Sequence, residues 1–404
     1  MTQNKDVILL TSNLYRPHFG GVENSLYHLS QAYKKQGKWP VIVVSDISPD
    51  NSKLADVEEI DGITIYRYSM TKPYYLGKVR LPKVISGILN SLSLYKKVIQ
   101  KYQPELIITR YHFNQLFCKW AGGKNTVYLV PGVVKFQNAS KNVSSYSLKR
   151  YLRWYYHYLL QFFALKSSDQ LAVFSHNMIK QVNSVINPKK ELLLTKPGVD
   201  GHRFYPLPKE QKNLERNALG LNCKGHVFLC VGRCVAAKGF DLAINAFRSQ
   251  TGTDNQLWIV GDGPLLDNYK YLVEQLGLEG QVKFIGSTLE PEKYYRAADT
   301  FLMSSIYEPL GQTILEALSS GLPVIAFEPS NDVNTASREI LNSNCALFVN
   351  QANSDELANS IERILDLSPD ELSEKSAMAR IHAEDHFSWN NLANDLLEVF
   401  NNEK

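Results

Sequence analysis

Short β-branched runs alternate with longer amphipathic segments from one end of the chain to the other, and this alternation leaves few folds open. It is typical of βαβ units, in which helices connect parallel strands. Between the first two strand-like runs, Val22, Leu26, Leu29 and Tyr33 recur at spacings of four, three and four. These positions share one face of a 3.6-residue period, so a first βαβ unit is predicted here.

The alternation predicts two series of strands, which follow one another along the chain. The first series is at 7–12, 41–45, 64–68, 105–110, 127–130 and 171–175, and the second at 227–232, 257–261, 282–286, 300–305, 323–327 and 346–349. The segment from Lys196 to Gln211 interrupts the rhythm with three prolines and two glycines, and we interpret it as an interdomain connection. Because ligands bind at the carboxyl ends of parallel strands, the loops that follow strands are the places to look for chemistry.

Length and composition limit the class of protein. At 404 residues two domains are expected, and the formal charge of +4 gives no reason to expect a nucleic-acid partner. The five cysteines lack the paired spacing of a zinc site or disulfide framework, so reduced thiols are expected. The first residues show no signal-peptide pattern, and the longest apolar run, 155–165, is shorter than the ~20 residues of a membrane span. A cytoplasmic protein is predicted.

A glycine pair, Gly20 and Gly21, lies between the first strand and the first helix. Glycines allow close approach of a ligand to the backbone, and a helix N-terminus presents free N–H groups to an anion. A phosphate or a developing negative oxygen would be stabilised there. The alternative is a plain strand-to-helix turn, in which glycines are common.

Two cations, Arg233 and Lys238, lie five residues apart in the loop after the first strand of the second series. Together they would grip a diphosphate and neutralise a leaving group. The alternative is a pair of solvated surface charges.

A pair of glutamates, Glu308 and Glu316, brackets a Pro-Leu-Gly turn and the start of a helix. A loop carboxylate accepts sugar hydroxyls, and one in the first turns of a helix accepts the two hydroxyls of a ribose. The backbone N–H groups of Gln312 and Thr313 would hold a phosphate at the helix start. The competing interpretation is a capping box of Thr313 and Glu316, which leaves Glu308 unexplained.

A Gly-Asp-Gly turn containing Gly261 and Gly263 follows another strand of the second series. It suits close backbone approach to a nucleotide. It is not a dinucleotide fingerprint, because Leu266 stands where the third glycine of G-x-G-x-x-G belongs.

The ordered motifs FGGVEN, VGRCVAAKG, VGDGP and EPLGQTILEALSSGLPVIA together resemble the fourth family of glycosyltransferases, the glycosyl transferases group 1. The resemblance covers nearly the whole chain. It implies the α/β GT-B fold, two Rossmann-like lobes with parallel sheets that face an interlobe cleft. Residues 1–198 would form the acceptor-side domain and 199–387 the nucleotide-sugar-binding domain. The helix of 388–404 would pack back on the first.

The resemblance also implies roles for the residues singled out above. Arg233 and Lys238 would bind the donor diphosphate, Glu316 the ribose and Glu308 the transferred sugar. His112 would approach the donor sugar, although relatives often show His-x-His where this chain has Arg110, and a structural, hydrogen-bonded histidine is the alternative. The implied donor site comprises Gly20, Gly21, Arg233, Lys238, Gly261, Gly263, Glu308, Leu310, Gly311, Gln312, Thr313 and Glu316, and the catalytic set is Glu308, Arg233, Lys238 and His112.

The implied reaction is a retaining transfer of a sugar from a nucleotide diphosphate donor to a hydroxyl acceptor in polysaccharide or glycoconjugate assembly. No cofactor or metal is expected, because an Asp-x-Asp motif is absent. Two basic, aromatic stretches, 72–83 and 147–163, suit peripheral contact with an anionic membrane near a lipid-linked acceptor. Two alternatives remain open: a non-catalytic nucleotide-sugar-binding protein and an NAD-dependent dehydrogenase.

Overall fold

The computed structural model describes residues 6–18, 20–50, 52–137, 148–308 and 311–400. The chain forms two compact units. The first contains residues up to Lys196 and those from Trp389 onward, and the second is Pro197–Ser388. Each unit is described by itself below.

The described strands, numbered in chain order, are β1 Val7–Thr11, β2 Trp39–Ser45, β3 Val57–Ile60, β4 Ile63–Tyr68, β5 Tyr75–Leu76, β6 Val79–Arg80, β7 Leu106–Thr109, β8 Thr126–Leu129, β9 Gln170–Val173, β10 Leu193–Leu194, β11 Val227–Val231, β12 Gln256–Val260, β13 Val282–Gly286, β14 Thr300–Met303, β15 Tyr307–Glu308, β16 Val324–Phe327, β17 Asn334–Thr335 and β18 Ala346–Val349.

The described α-helices are α1 Gly21–Lys35, α2 Lys83–Tyr102, α3 His112–Trp120, α4 Val134–Gln137, α5 Leu148–Ser167, α6 His176–Asn183, α7 Lys209–Ala218, α8 Phe240–Ala246, α9 Leu266–Gln275, α10 Pro291–Ala297, α11 Gln312–Ser319, α12 Ser337–Ile340, α13 Ser354–Leu365, α14 Pro369–His386 and α15 Trp389–Glu398. Short 3-10 helices lie at Ala236–Lys238 and Phe247–Gln250. None of the described helices combines the length and the apolar character that a membrane span requires.

The main sheet of the first unit has the order β10-β9-β8-β7-β1-β2-β4-β3. Its strands pair in parallel except for β3, which runs antiparallel to β4. The central strands are buried along their whole length, as expected for a sheet covered on both faces. Because the strand order reverses between β1 and β7, the loops that follow these two strands flank a topological switch point.

The sheet of the second unit has the order β13-β12-β11-β14-β16-β18, and all its pairs are parallel. This is the doubly wound order three-two-one-four-five-six. One apolar cluster, which contains Trp258 and Leu318, and another, which contains Phe228 and Ile361, supply its core. The switch point lies between β11 and β14, so the loops after these strands are the expected ligand-binding loops.

The strand predictions are confirmed, because each of the twelve predicted runs contains a strand whose ends lie within about two residues of the prediction. The antiparallel strand β3 was missed. Its residues are exposed or only half-buried, so it lacks the apolar run that identified the others. The two-residue strands β5 and β6 were also missed, and they pair as a hairpin within the basic stretch 72–83.

The last helix, α15, belongs to the first unit although it follows the second in sequence. Its residues Leu392 and Leu396 are fully buried. The Tyr33 hydroxyl on α1 donates a hydrogen bond of 3.0 Å to the Ala393 carbonyl, and Trp389 stacks on His28 with ring centroids 5.2 Å apart. This helix therefore completes the core of the unit in which the chain begins.

Candidate functional site

The loop after β11 places Lys238 at the switch point of the second unit. A 3-10 turn, Ala236–Lys238, ends at Gly239, which has a φ of 58°. A side chain at Gly239 would come within 2.2 Å of the Ser304 carbonyl oxygen, so only glycine allows this close approach. The Ser304 hydroxyl donates a 2.9 Å bond to the Lys238 carbonyl. The loops after β11 and β14 are thus fastened together.

Lys238 and Glu308, seventy residues apart in sequence, form an ion pair in this place. Their side chains are only 16% and 14% exposed. The other carboxylate oxygen of Glu308 accepts a 3.2 Å bond from the Gly311 backbone N–H. The structure therefore brings together a cation from one predicted motif and an acid from another.

The N-terminus of α11 follows Glu308 by four residues in the chain, and its N-cap residue Gly311 is hydrogen-bonded to Glu308. Gly311 precedes the helix with a φ of 70°, and no side chain caps the helix. The N–H groups of Gln312 and Thr313 belong to the first turn, whose donors have no partner within a helix. They are suited to bind an anion. Leu310, a further predicted donor-binding residue, lies outside the described residues.

Glu316 accepts a 2.9 Å hydrogen bond from the Tyr295 hydroxyl. The capping-box alternative is wrong, because α11 begins at Gln312 and Gly311, rather than Thr313, is its N-cap. Burial raises the pKa of Glu316 to about 7, and the Tyr295 bond and the charges of Arg203 and Lys238 oppose this rise. The carboxyl group is held in place for a partner other than the backbone of its own helix.

Gly261 and Gly263, in the loop after β12, cross the loop after β11 at very short range. A Cβ on Gly261 would lie 1.9 Å from the Gly232 carbonyl oxygen, and one on Gly263 would lie 2.7 Å from the Cys234 carbonyl oxygen. The Cys234 N–H donates a 2.9 Å bond to the Asp262 carbonyl. These glycines therefore shape the wall of the site by interlocking two loops, a packing role that the sequence motif did not specify.

Arg233 is exposed, and within the described ranges no hydrogen bond or ion pair joins its side chain to another residue; its backbone carbonyl accepts a 2.8 Å bond from the Val235 N–H. It shares the β11 loop with Lys238, but the structure does not bring its side chain into contact with Glu308 or Glu316. Its predicted role on a diphosphate stays a prediction.

Two residues that act on Glu316, Tyr295 through its hydrogen bond and Arg203 through its charge, were not predicted from the sequence. Tyr295 is fully buried on α10, and Arg203 forms an ion pair of 2.7 Å with Glu292. Arg203 lies in the linker segment 196–211, whose glycines and prolines indicate only a connection between domains. Tyr295 belongs to a helix whose amphipathic pattern indicated only packing. No sequence motif near either residue indicates an interaction with Glu316.

In the first unit, Gly20 is the N-cap of α1 and makes no side-chain cap. Gly21 has open space around it, since a Cβ added there would meet no atom within 4 Å. His112 begins α3 and is hydrogen-bonded to His157 at 3.0 Å. Burial lowers the pKa of His112 to about 3, so its imidazole is neutral at physiological pH. His112 has the hydrogen bond that its structural alternative requires, and its catalytic role stays a prediction.

Within the described ranges, no three His, Cys, Asp or Glu side chains group as a metal site would require. The described residues Cys118, Cys223, Cys230, Cys234 and Cys345 are free thiols, as the sequence predicted.

Residues 211–383 match the family model described as glycosyl transferases group 1. The match lies entirely within the second unit and includes Arg233, Lys238, Glu308 and Glu316. The second unit therefore matches this family over most of its length. The resemblance drawn from the ordered motifs is therefore confirmed.

Curated relatives match this chain over part of their length. It is 34% identical to mannosylfructose-phosphate synthase of Agrobacterium fabrum over 34% of this chain and 32% of the relative. It is 27% identical to an uncharacterized glycosyltransferase of Methanocaldococcus jannaschii over 60% of this chain and 62% of the relative. The alignments thus span less than two thirds of either relative.

Solved structures match over almost the full length. Sucrose-phosphate synthase from Thermosynechococcus elongatus has a TM-score of 0.76 at 22% identity and covers 99% of both chains. Anabaena Alr3699/HepE, solved in complex with UDP and glucose, has a TM-score of 0.73 at 18% identity and covers 98% of this chain and 99% of its own. The predicted GT-B fold with two Rossmann-like domains is confirmed. The interlobe cleft stays a prediction.

Proposed function

We propose that this chain is a retaining glycosyltransferase that moves a sugar from a nucleotide diphosphate sugar to a hydroxyl acceptor. The observation that carries the proposal is the cluster of Lys238, Glu308, Glu316 and the uncapped N-terminus of α11 at the switch point of the second unit. Cations and helix N–H groups suit a diphosphate, and two carboxylates suit hydroxyl groups. The family match of the second unit and the UDP bound by Anabaena Alr3699/HepE support the same function.

In the proposed mechanism, Lys238 and Arg233 neutralise the diphosphate as the glycosidic bond breaks, and the first N–H groups of α11 share this charge. Glu308 leaves its ion pair to accept hydroxyls of the transferred sugar, and Glu316 accepts those of the ribose. A donor phosphate oxygen takes the acceptor proton on the face from which the diphosphate departs. This same-face substitution retains the anomeric configuration without an enzyme nucleophile, a cofactor or a metal ion.

The biological setting we propose is assembly of cell-surface polysaccharide or glycoconjugate. The Escherichia coli relative named UDP-Gal:alpha-D-GlcNAc-diphosphoundecaprenol alpha-1,3-galactosyltransferase, which is 25% identical over 70% of this chain, supports a lipid-linked acceptor. His112, a neutral and buried imidazole, is proposed to contact the donor sugar with Gly20 and Gly21.

Thermal shift against UDP-, GDP-, ADP- and dTDP-sugars and NAD tests the donor class. A ligand at ~100 times its dissociation constant adds about 2.7 kcal/mol to the free energy of unfolding, so one nucleotide sugar should raise Tm clearly. NAD should not, because the dinucleotide fingerprint lacks its third glycine. A shift with NAD alone would instead establish the dehydrogenase alternative.

Slow hydrolysis of the donor separates an enzyme from a non-catalytic binding protein. We expect Lys238→Ala to lower this hydrolysis ~100-fold or more, because it removes a charge that stabilises the leaving group. Lys224→Ala, at an exposed position of the same unit, is the matched control and should hydrolyse the donor normally. Tight donor binding with no hydrolysis and no transfer in the unchanged protein would favour the binding-protein alternative. The anomeric configuration of a transfer product, read by NMR, tests retention.

We also propose peripheral contact with an anionic membrane at the cytoplasmic face. In the β5–β6 hairpin, Leu76 is 70% exposed and Val79 is 65% exposed, beside the cations Lys78 and Arg80. Exposed apolar side chains flanked by cations suit a headgroup region. Co-sedimentation with vesicles that contain phosphatidylglycerol should fall on Leu76→Ser/Val79→Ser. Absence of binding to such vesicles by the unchanged chain would remove this proposal.

A further inference from the structure

Arg110 is buried without a partner in the first unit. It follows β7 directly, and only 1% of the residue is exposed. None of its three guanidinium nitrogens has a hydrogen-bond partner, and no carboxylate forms an ion pair with it among the described residues. The centroid of the Phe174 ring lies 5.4 Å from its guanidinium carbon. Burial lowers the pKa of Arg110 to about 10, so the group is still charged at neutral pH.

An unpaired buried cation has a large desolvation cost, which a purely structural residue would not keep. Packing does not require it, because an apolar side chain of similar length would fill the same space. An Arg presents five N–H donors in a planar fork that fits two oxygens of a phosphate or carboxylate. The unpaired fork therefore points to an anionic partner from outside the described part of the chain.

The position of Arg110 in the sheet is a second observation that points to a ligand. Its backbone N–H donates a 2.8 Å bond to the carbonyl of Thr11, the last residue of β1, so Arg110 lies where β7 and β1 end, at the switch point of the first unit. The loop after β1 leads to the N-terminus of α1, which has no side-chain cap. Ligands of doubly wound sheets bind at such points, and a helix N-terminus favours a negative charge.

The Glu23 side chain lies at the N-terminus of α1. A Cβ built on Gly20 would lie 2.5 Å from the Glu23 carboxylate, which is therefore folded back over the N-terminus of α1. The same carboxylate raises the pKa of Arg110 by its charge without forming an ion pair with it. In the free protein, Glu23 occupies the region that a ligand oxyanion would share with Arg110 and the helix N-terminus.

We infer that Arg110 and the N-terminus of α1 form a binding site for a phosphate group of the acceptor. Arg110 donates two bonds to phosphate oxygens, the first N–H groups of α1 bind a third, and Glu23 swings aside. The acceptor is then a phosphorylated hydroxyl compound, anchored by its phosphate while another hydroxyl reacts. The assignment of this ligand as acceptor rests on the proposed function, whereas the phosphate site itself does not.

Isothermal titration with glycerol 3-phosphate, inorganic phosphate and acetate tests the site. An Arg233→Ala/Lys238→Ala background removes the cations of the second unit. There we expect both phosphates to bind and acetate to bind more weakly. Arg110→Met should weaken phosphate binding at least tenfold, and Arg110→Lys should restore only part of it because the fork is lost. Glu23→Gln should tighten binding severalfold because it removes a like charge.

Thermal stability without ligand shows whether Arg110 is instead structural. Removal of an unpaired buried charge should leave Tm of Arg110→Met equal to or above that of the unchanged chain, while phosphate binding is lost. A lower Tm for both Arg110→Met and Arg110→Lys, with phosphate affinity unchanged in Arg110→Lys, would overturn the inference.

UDP separates an acceptor phosphate from a donor phosphate. This comparison uses the chain with Arg233 and Lys238 unchanged. If Arg110→Met lowers its affinity for UDP and leaves its affinity for glycerol 3-phosphate unchanged, Arg110 binds the donor and the inference is wrong. If no nucleotide sugar shifts Tm, the proposed function is contradicted. The phosphate site at Arg110 would still be supported by phosphate binding that Arg110→Met weakens.

Discussion

The Lys238–Glu308 ion pair joins two opposite charges within the candidate donor site. Both side chains are mostly buried, so each depends on the other for the stabilisation that water would otherwise supply. We predict that Lys238→Ala lowers the free energy of unfolding by about 1–3 kcal/mol, because it leaves a mostly buried carboxylate unpaired. The double variant Lys238→Ala/Glu308→Gln should lose less than the sum of the losses in Lys238→Ala and in Glu308→Gln. Urea unfolding of the four proteins gives this comparison, and additive losses would contradict it.

Glu316 predicts a pH dependence of stability. Its pKa is raised from 4.5 to about 7 by burial, so between these values the unfolded chain ionises while the folded chain holds a proton. The folded state therefore loses stability as pH rises through this window, and the loss levels off above about 7. At about 1.4 kcal/mol per pH unit, the full effect is at most about 3–4 kcal/mol.

Glu316→Gln should remove that dependence, because the amide does not titrate and still accepts the Tyr295 hydrogen bond. The stability of the variant relative to the unchanged chain should rise between pH 5 and pH 8, as followed by urea unfolding. Tyr295→Phe, which keeps the carboxyl group, is the control and should keep the pH dependence. Parallel curves for Glu316→Gln and the unchanged chain would show that burial does not raise this pKa.

At the scale of elements, the interlocked loops after β11 and β12 fix the shape of the candidate donor site. Gly261 has a φ of 142°, and a side chain there would collide with the Gly232 carbonyl. We predict that Gly261→Ala costs ~3 kcal/mol or more of stability, from backbone strain and separation of the loops. Gly280→Ala, at an exposed position with no atom within 4 Å, should change stability by less than ~0.5 kcal/mol.

Donor affinity separates this effect from a general loss of stability. Because the β11 loop carries Lys238, Gly261→Ala should weaken nucleotide-sugar binding at a temperature where the variant is still folded. Unchanged affinity in a folded Gly261→Ala protein would mean that the loop crossing does not position Lys238.

Elements with a repeating apolar pattern could be predicted from the sequence, and single contacts between distant residues could not. The central strands were found because both of their faces are buried, whereas β3 was missed because its surface is largely exposed. Lys238 and Glu308 were each selected from the loop that carries them. Their ion pair depends on the strand order of the sheet, and Tyr295 reaches Glu316 from a helix whose pattern indicates only packing. In the sequence, Arg110 is only a residue that departs from the His-x-His pattern. Its burial without a hydrogen-bond partner, which suggests a binding role, is visible only in the structure.

At the scale of the whole molecule, the chain leaves its first unit at Lys196 and returns to it at Trp389. The returning helix, α15, buries Leu396 completely, and its residue Ala393 accepts the hydrogen bond of Tyr33 on α1. The end of the chain therefore stabilises its beginning. Truncation of a fully buried leucine leaves a cavity and costs about 2–5 kcal/mol.

We predict that Leu396→Ala speeds hydrogen exchange in peptides from α1 and leaves those from β11 nearly unchanged, because exchange reports the opening of the unit that holds each amide. Leu318→Ala, an equally buried leucine of α11, is the mirror control and should speed exchange in β11 while α1 keeps its protection. Mass spectrometry of both variants under native conditions resolves the two patterns. Equal acceleration of both peptides by Leu396→Ala would show that the units open as one, and the returning helix would then stabilise the entire chain rather than the first unit.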